Sequence, residues 1–188
     1  MITTIIFDCF GVLATEGWVP FRDKTFGHDP TVLREANDLM SALSCGLLAP
    51  AEFMERMAEL SGMHVDALYP VFYTNTPNEE LFQWIRERKD TYAFGVLSNI
   101  GSGRFEEIFS KQQQELFDSV VLSHEIGFIK PDRRAYEVAA KKLGVAPRQC
   151  LFVDDQQKNV LAAQETGMLA IPYTDFAQFE AAVEKLLD

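Results

Sequence analysis

Asp8 stands at the end of an apolar run, Ile5-Ile6-Phe7, and Gly11 follows three residues later. A carboxylate at the tip of a buried strand is costly unless a metal, hydrogen-bond donors or water meet it. Three more polar features stand in comparable places. Ser98-Asn99 follows Phe94-Gly95-Val96-Leu97, Lys130-Pro131 precedes a helical pattern, and Asp154-Asp155 follows Leu151-Phe152-Val153. Two or three carboxylates converging at one point repel each other and need a cation, and all-oxygen ligation suits Mg²⁺. A serine hydroxyl, a lysine ammonium and helix N-terminal N–H groups suit a tetrahedral oxyanion. Asp8 is then free to attack phosphorus and carry an aspartyl-phosphate, with Mg²⁺ shielding the approach of two anions and Lys130 stabilising the transferring group.

The elements that must position these groups are legible as alternating apolar runs and helical patterns. Residues 2–7, 92–98, 118–123, 149–153 and 168–172 are short apolar runs bounded by Gly, Pro or Asp and are predicted to be buried strands. Helical patterns are predicted over 103–117, 131–143 and 156–166, and Asp175 caps a last helix with Gln178 three residues on. Strand–helix alternation implies a parallel sheet with helices on both faces. In open sheets of that kind ligands bind beyond the carboxyl ends of the strands, where all four polar features fall.

Residues 14 to about 80 break the alternation and hold no convincing strand. Helical patterns appear at about 31–44, 50–61 and 65–73, and Pro77 opens one that runs to Lys89. The expected organisation is a core of residues 1–13 and 80–188 with a helical insert over 14–79. The aromatics of the insert, Trp18, Phe21, Phe26, Phe53, Phe72 and Tyr73, are expected mostly to form its own core.

Composition narrows the partners. With 28 acids against 17 bases the net charge is −11, which repels nucleic acid and anionic membranes over most of the surface. No apolar stretch approaches the ~20 residues of a membrane span. The N-terminus lacks the basic flank of a signal peptide, so a cytoplasmic protein is expected. Cys9, Cys45 and Cys150 lack metal-ligand spacing and read as reduced thiols. Cys9 adjoins Asp8, but no histidine is nearby in sequence to activate it, and it reads as a small packing residue. His28, His64 and His124 show no partner pattern. Nothing in the chain indicates an oligomeric state.

Phe7-Asp8-Cys9-Phe10-Gly11-Val12-Leu13, Leu97-Ser98-Asn99, Gly127-Phe128-Ile129-Lys130-Pro131-Asp132, and Phe152-Val153-Asp154-Asp155 with Asn159 resemble, in order, the four motifs of the haloacid dehalogenase-like hydrolases. The resemblance covers the whole chain, because a helical cap inserted after the first motif is also the arrangement of that family's first subfamily. It implies a Rossmann-like α/β core carrying an all-helical cap. It further implies Asp8 as nucleophile, Ser98, Asn99 and Lys130 as substrate ligands, and a Mg²⁺ site formed by Asp8, the Phe10 carbonyl and Asp155. Asp154 would act beside it, through water or Lys130. A small phosphorylated metabolite is the implied substrate.

One departure bears on mechanism. Phosphatases of this family usually carry a second Asp two residues after the nucleophile, which protonates the leaving oxygen and later activates water. Here the residue is Phe10. Losing general acid–base help costs roughly 10²–10⁴-fold, least for acyl, aryl or anomeric phosphates. An aromatic residue there also resembles the 2-haloacid dehalogenases proper, and loss of an acid is one route to a weakly active binding or regulatory protein. Against dehalogenation, Asp154-Asp155 builds a cation site that halide displacement does not use; capping the next helix would require only one acid. Glu16, Asp23 and His28, on the segment leaving the first motif, are candidates to replace the missing acid.

Overall fold

In the computed structural model, which describes residues 1–187, five parallel strands form one sheet. They are β1 (Thr4–Phe7), β2 (Ala93–Ser98), β3 (Ser119–Leu122), β4 (Cys150–Asp154) and β5 (Leu169–Pro172), in the order β3-β2-β1-β4-β5. Phe7 is in register with Val96 of β2 and Val153 of β4, so Asp8, Ser98 and Asp154 come to the same edge. The chain first builds outward from β1 through β2 to β3, then returns to place β4 on the other side of β1. That reversal opens a crevice between β1 and β4 at their carboxyl ends.

The period of two along each strand explains why the runs are apolar throughout. Ile5, Phe7, Phe94, Val96, Leu151 and Val153 face one layer, while Ile6, Leu97, Val121, Cys150 and Phe152 face the other. The first layer is covered by α5 (Glu79–Arg88), α6 (Arg104–Ile108) and α11 (Phe176–Leu187), through Phe82, Phe105 and Phe179 among others. The second is covered by α9 (Arg133–Lys142) and α10 (Gln157–Glu165), through Tyr136, Ala139 and Val160.

Between β1 and α5 lie α1 (Trp18–Phe26), α2 (Pro30–Ser44), α3 (Pro50–Ser61) and α4 (Val65–Tyr73). They share an apolar cluster of their own that includes Phe26, Leu39, Phe53, Met57 and Leu68. The two chain crossings into this helical unit are paired: Thr15 N–H donates to the Thr76 carbonyl (3.0 Å) and Asn78 N–H to the Leu13 carbonyl (2.9 Å). Helix α2 is also fastened to the core, because the buried Ser123 hydroxyl donates to the Ser44 carbonyl while accepting from Ile100 N–H.

Two local expectations need correction, and two helices fall outside the sequence patterns. The pattern over 103–117 is two short helices, α6 and α7 (Lys111–Gln114), because Phe109 is extended and Ser110 with Gln113 forms a capping box that restarts the chain. The helix expected from Pro131 begins at Arg133; Asp132 caps it by accepting from Arg134 N–H at 2.9 Å. Helix α1 was not apparent in the sequence, since Trp18, Val19, Phe21 and Phe26 do not fall on one stripe. Its first N–H groups, of Trp18 and Val19, are met by the Glu16 carboxylate. A short α8 (Ser123–Ile126) also follows β3 directly. Among the described residues no helix is long and apolar enough to cross a membrane.

Candidate active site

The strand ends bring Asp8, Asp154, Asp155 and Lys130 to one point. One oxygen from each of the three carboxylates falls within 4.8 Å of the others. Lys130 Nζ donates to Asp8 Oδ1 and to Asp154 Oδ2, both at 2.7 Å, and its side chain is 1% exposed. Burial alone would lower the pKa of this ammonium, but the carboxylates of Asp154 and Asp8 outweigh it and hold the group charged.

The two adjacent aspartates have different surroundings. Asp154 is fully buried and saturated: beyond Lys130 it accepts from Asn159 Nδ2 (3.0 and 3.1 Å) and from Gln156 N–H (2.8 Å). Tyr136 holds that bracket in turn by donating its hydroxyl to the Asn159 carbonyl at 3.0 Å. Asp155 has no such partners. Its Oδ1 is buried with no hydrogen bond, and burial, then the charges of Asp154 and Glu16, push its pKa up to about 6. Gly11 leaves room for it, since a Cβ there would fall 2.5 Å from Asp155 Oδ2.

Asp8 is 5% exposed, and Oδ1 takes both of its hydrogen bonds, from Lys130 Nζ and from Cys9 N–H at 2.6 Å. Oδ2 accepts none among the described residues. Burial and the Asp154 charge raise the Asp8 pKa against the opposing pull of Lys130. These are the properties of a cation site: clustered carboxylates, an orphaned buried oxygen on Asp155, a glycine in place of a side chain, and all-oxygen donors of the kind Mg²⁺ prefers. Asp8 and Asp155 face it with free oxygens, whereas Asp154 is already engaged.

The remaining polar residues fall into two roles. Ser98 Oγ is buried at the end of β2 without a hydrogen-bond partner, a donor in waiting. Asn99 is engaged through both ends of its amide: Nδ2 donates to the Lys130 carbonyl (2.9 Å) and Oδ1 accepts from Lys130 N–H (2.7 Å). Its side chain therefore braces the backbone of Lys130, with a second amide N–H left over at the cavity. Cys9 is fully buried, and burial with the neighbouring Asp8 charge pushes its thiol up, so it stays protonated.

A cavity of about 320 Å³ opens over this edge, with Asp8, Phe10, Asn99 and Lys130 at its floor and helices α1 to α4 above. Glu16 lines it, and burial raises its pKa against the pull of the Trp18 and Val19 N–H groups. Asp23, exposed and paired with Arg22, does not line it, nor does His28. His64 is exposed beside Asp66, and His124 bonds the Ile100 carbonyl. Arg104 also lines the cavity. It ties α6 to the end of α4 by donating to the Phe72 carbonyl and Asn75 Oδ1, both at 2.8 Å, and nothing in its local sequence announces that long-range contact.

A family profile described as haloacid dehalogenase-like hydrolase matches residues 69–172, more than half of the chain. A sesquiterpene phosphatase of Aspergillus oryzae is 27% identical over 176 residues, covering 90% of this chain and 89% of that protein. Among solved structures, an enzyme of Bacteroides thetaiotaomicron in complex with magnesium and inorganic phosphate superposes with a TM-score of 0.75 at 20% identity, covering 95% of this chain and 99% of that one. The L-2-haloacid dehalogenase of Xanthobacter autotrophicus with chloropropionic acid covalently bound superposes with a TM-score of 0.68 at 19% identity, covering 99% and 83%. At these identities the two structural likenesses are ones of fold.

Proposed function

We propose that this chain, which belongs to the haloacid dehalogenase-like hydrolases, is a Mg²⁺-dependent phosphatase or phosphotransferase acting on a small phosphorylated metabolite. The observation that carries this reading is the unpartnered Asp155 Oδ1 beside Asp8 and Asp154, a ready cation site that halide displacement does not require. Asp8 and Asp155, with the Phe10 carbonyl, would hold Mg²⁺, whose charge when bound lets the anionic nucleophile and the phosphoryl group approach each other.

The Asp8 carboxylate is the attacking group. It forms a bond to phosphorus as the bond from phosphorus to the substrate oxygen breaks, leaving an aspartyl-phosphate and an alkoxide or phenoxide that takes its proton from water. Lys130 stays charged and neutralises both Asp8 and the transferring oxygens, while Asn99 fixes its backbone. Ser98 donates its free hydroxyl to a phosphoryl oxygen. Water then attacks the acyl-phosphate, releasing phosphate and restoring Asp8; an acceptor alcohol in place of water makes the reaction a transfer. Phe10 has no proton to give the leaving oxygen, so substrates with good leaving groups are favoured.

The helical unit over 14–79 acts in this reading as a cap that closes on a small molecule and excludes water. A cytoplasmic setting suits three cysteines that form no disulfide among the described residues.

Phosphate release from p-nitrophenyl phosphate, with and without Mg²⁺ and with Asp8→Asn, tests the reading beside chloride release from 2-chloropropionate. Mg²⁺-dependent phosphate release that Asp8→Asn abolishes is expected. Chloride release insensitive to metal would establish the dehalogenase reading instead, which Phe10 favours. Silence in both assays would make the chain a binding or regulatory protein.

A further inference from the structure

We propose that the cavity takes a phosphomonoester with an alkyl or aryl body rather than a sugar or polyol phosphate, an inference that rests on the phosphatase reading above. The cavity has two unlike ends. Its floor is the charged cluster of Asp8 and Lys130, and its walls away from that floor include Trp18, Val19, Met40, Leu43, Val71 and Phe72. Each of these six is half-buried. Apolar side chains of the helical insert thus open in part onto the cavity, although Trp18 and Phe72 also pack on each other with ring centroids 6.1 Å apart.

Several polar residues along the same walls are already engaged with the protein, while the Asn37, Gln156 and Lys158 side chains, which also line the cavity, are not. The Arg104 guanidinium bonds the Phe72 carbonyl, Asn75 and Glu107, and lies 4.3 Å from the centre of the Tyr73 ring. Asn75 uses its remaining amide group on the Thr15 carbonyl at 2.8 Å, and Ser41 donates to the Asn37 carbonyl at 2.8 Å. Arg22 turns onto Asp23, and Glu16 receives the first N–H groups of α1. A polyhydroxylated body lying along the six apolar residues would give up water partners and find few replacements there, an asymmetry that discriminates against such ligands. An alkyl or aryl body would lose nothing polar and would cover apolar wall. A phenolic leaving oxygen also matches the lack of an acid at Phe10.

Alkylphosphonates test this without depending on turnover, because their C–P bond is not hydrolysed. Calorimetric titration in Mg²⁺ buffer with methyl-, propyl-, butyl- and hexylphosphonate is expected to show roughly two- to fourfold tighter binding per methylene until the cavity is filled. Propylphosphonate is expected to bind at least tenfold more tightly than 2,3-dihydroxypropylphosphonate. Met40→Gln and, separately, Val71→Thr should each flatten the chain-length series. Binding of methylphosphonate with no gain on lengthening, or equal binding of the dihydroxy compound, overturns the apolar-body inference and leaves the phosphatase reading standing. A chain-length gain that survives both variants also overturns it, since binding then lies elsewhere. Failure of every phosphonate and of inorganic phosphate to bind overturns both readings.

Discussion

Gly11 and Asp155 approach so closely that a Cβ on the former would lie 2.5 Å from Oδ2 of the latter, at a position where the Gly11 backbone has φ +79°. Gly11→Ala is therefore expected to act twice. The left-handed backbone costs about 1–2 kcal/mol for a residue with a Cβ, and the methyl group displaces Asp155 from the cation site. Gly103, with φ +78° and nothing within 4 Å of its would-be Cβ, supplies the control. Gly103→Ala should lower the melting temperature without weakening Mg²⁺ binding, whereas Gly11→Ala should weaken that binding at least tenfold. Equal Mg²⁺ affinities in the two variants would contradict the assignment of Asp155.

Mg²⁺ binding should depend on pH through Asp155, whose pKa is pushed up to about 6 by burial and by the charges of Asp154 and Glu16. A proton and the cation compete for this carboxylate, so affinity rises with pH up to about 6 and levels off above it. The sign for the metal-free protein is opposite. An acid whose folded pKa exceeds its unfolded value of ~3.9 contributes stability that is fully present below ~3.9 and is lost as pH rises through about 6. Thermal melts of wild type and Asp155→Asn between pH 4 and 7, with and without Mg²⁺, isolate the term. The wild type should lose stability relative to the variant across that window in chelator and regain it with Mg²⁺.

Asn99 brackets the backbone of Lys130 with two hydrogen bonds, so Asn99→Ala should cost about 1–3 kcal/mol of stability. Displacing the ammonium by about 1 Å should lower kcat by roughly 10²-fold. Because its amide is engaged with protein, kcat rather than KM is expected to change. A rise in KM at constant kcat would mean that Asn99 binds substrate directly.

Phe10→Asp would place a carboxyl group beside the leaving oxygen. Phosphate release from alkyl phosphates should rise by up to roughly 10²–10⁴-fold, with little change for p-nitrophenyl phosphate, whose leaving group needs no proton. Unchanged ratios between the two substrate types would show that another group already serves as the acid. Glu16, which lines the same cavity, is then the residue to replace with Gln.

Much of this architecture is legible locally. The continuous apolar runs ending in Asp8, Ser98 and Asp154 announce buried parallel strands with polar tips, because a strand covered on both faces has no polar position until it emerges. Pro30, Pro50 and Asp175 stand at helix starts for equally local reasons, the two prolines at first-turn positions and Asp175 by accepting from Gln178 N–H at 2.8 Å. Helix α1 was hidden because two environments divide its apolar residues: Phe26 turns into the insert's core while Trp18 and Val19 face the cavity.

The sequence by itself determined which residue types stand at the strand ends, and hence the available chemistry: carboxylates fit for a nucleophile and a cation site, an ammonium, and no acid at position 10. Only the tertiary structure supplied a physical reason for those groups to divide the work. Strand order placed β4 against β1, and that neighbourhood let one buried ammonium join Asp8 to Asp154. Asn159 and Gln156 then satisfied Asp154 completely, leaving the adjacent Asp155 with an unpartnered oxygen. Composition and spacing alone do not distinguish two neighbouring aspartates, although the family resemblance already implied the division between Asp155 and Asp154. Hydrogen-bond partners distant in the chain make one a structural anchor and the other a candidate metal ligand.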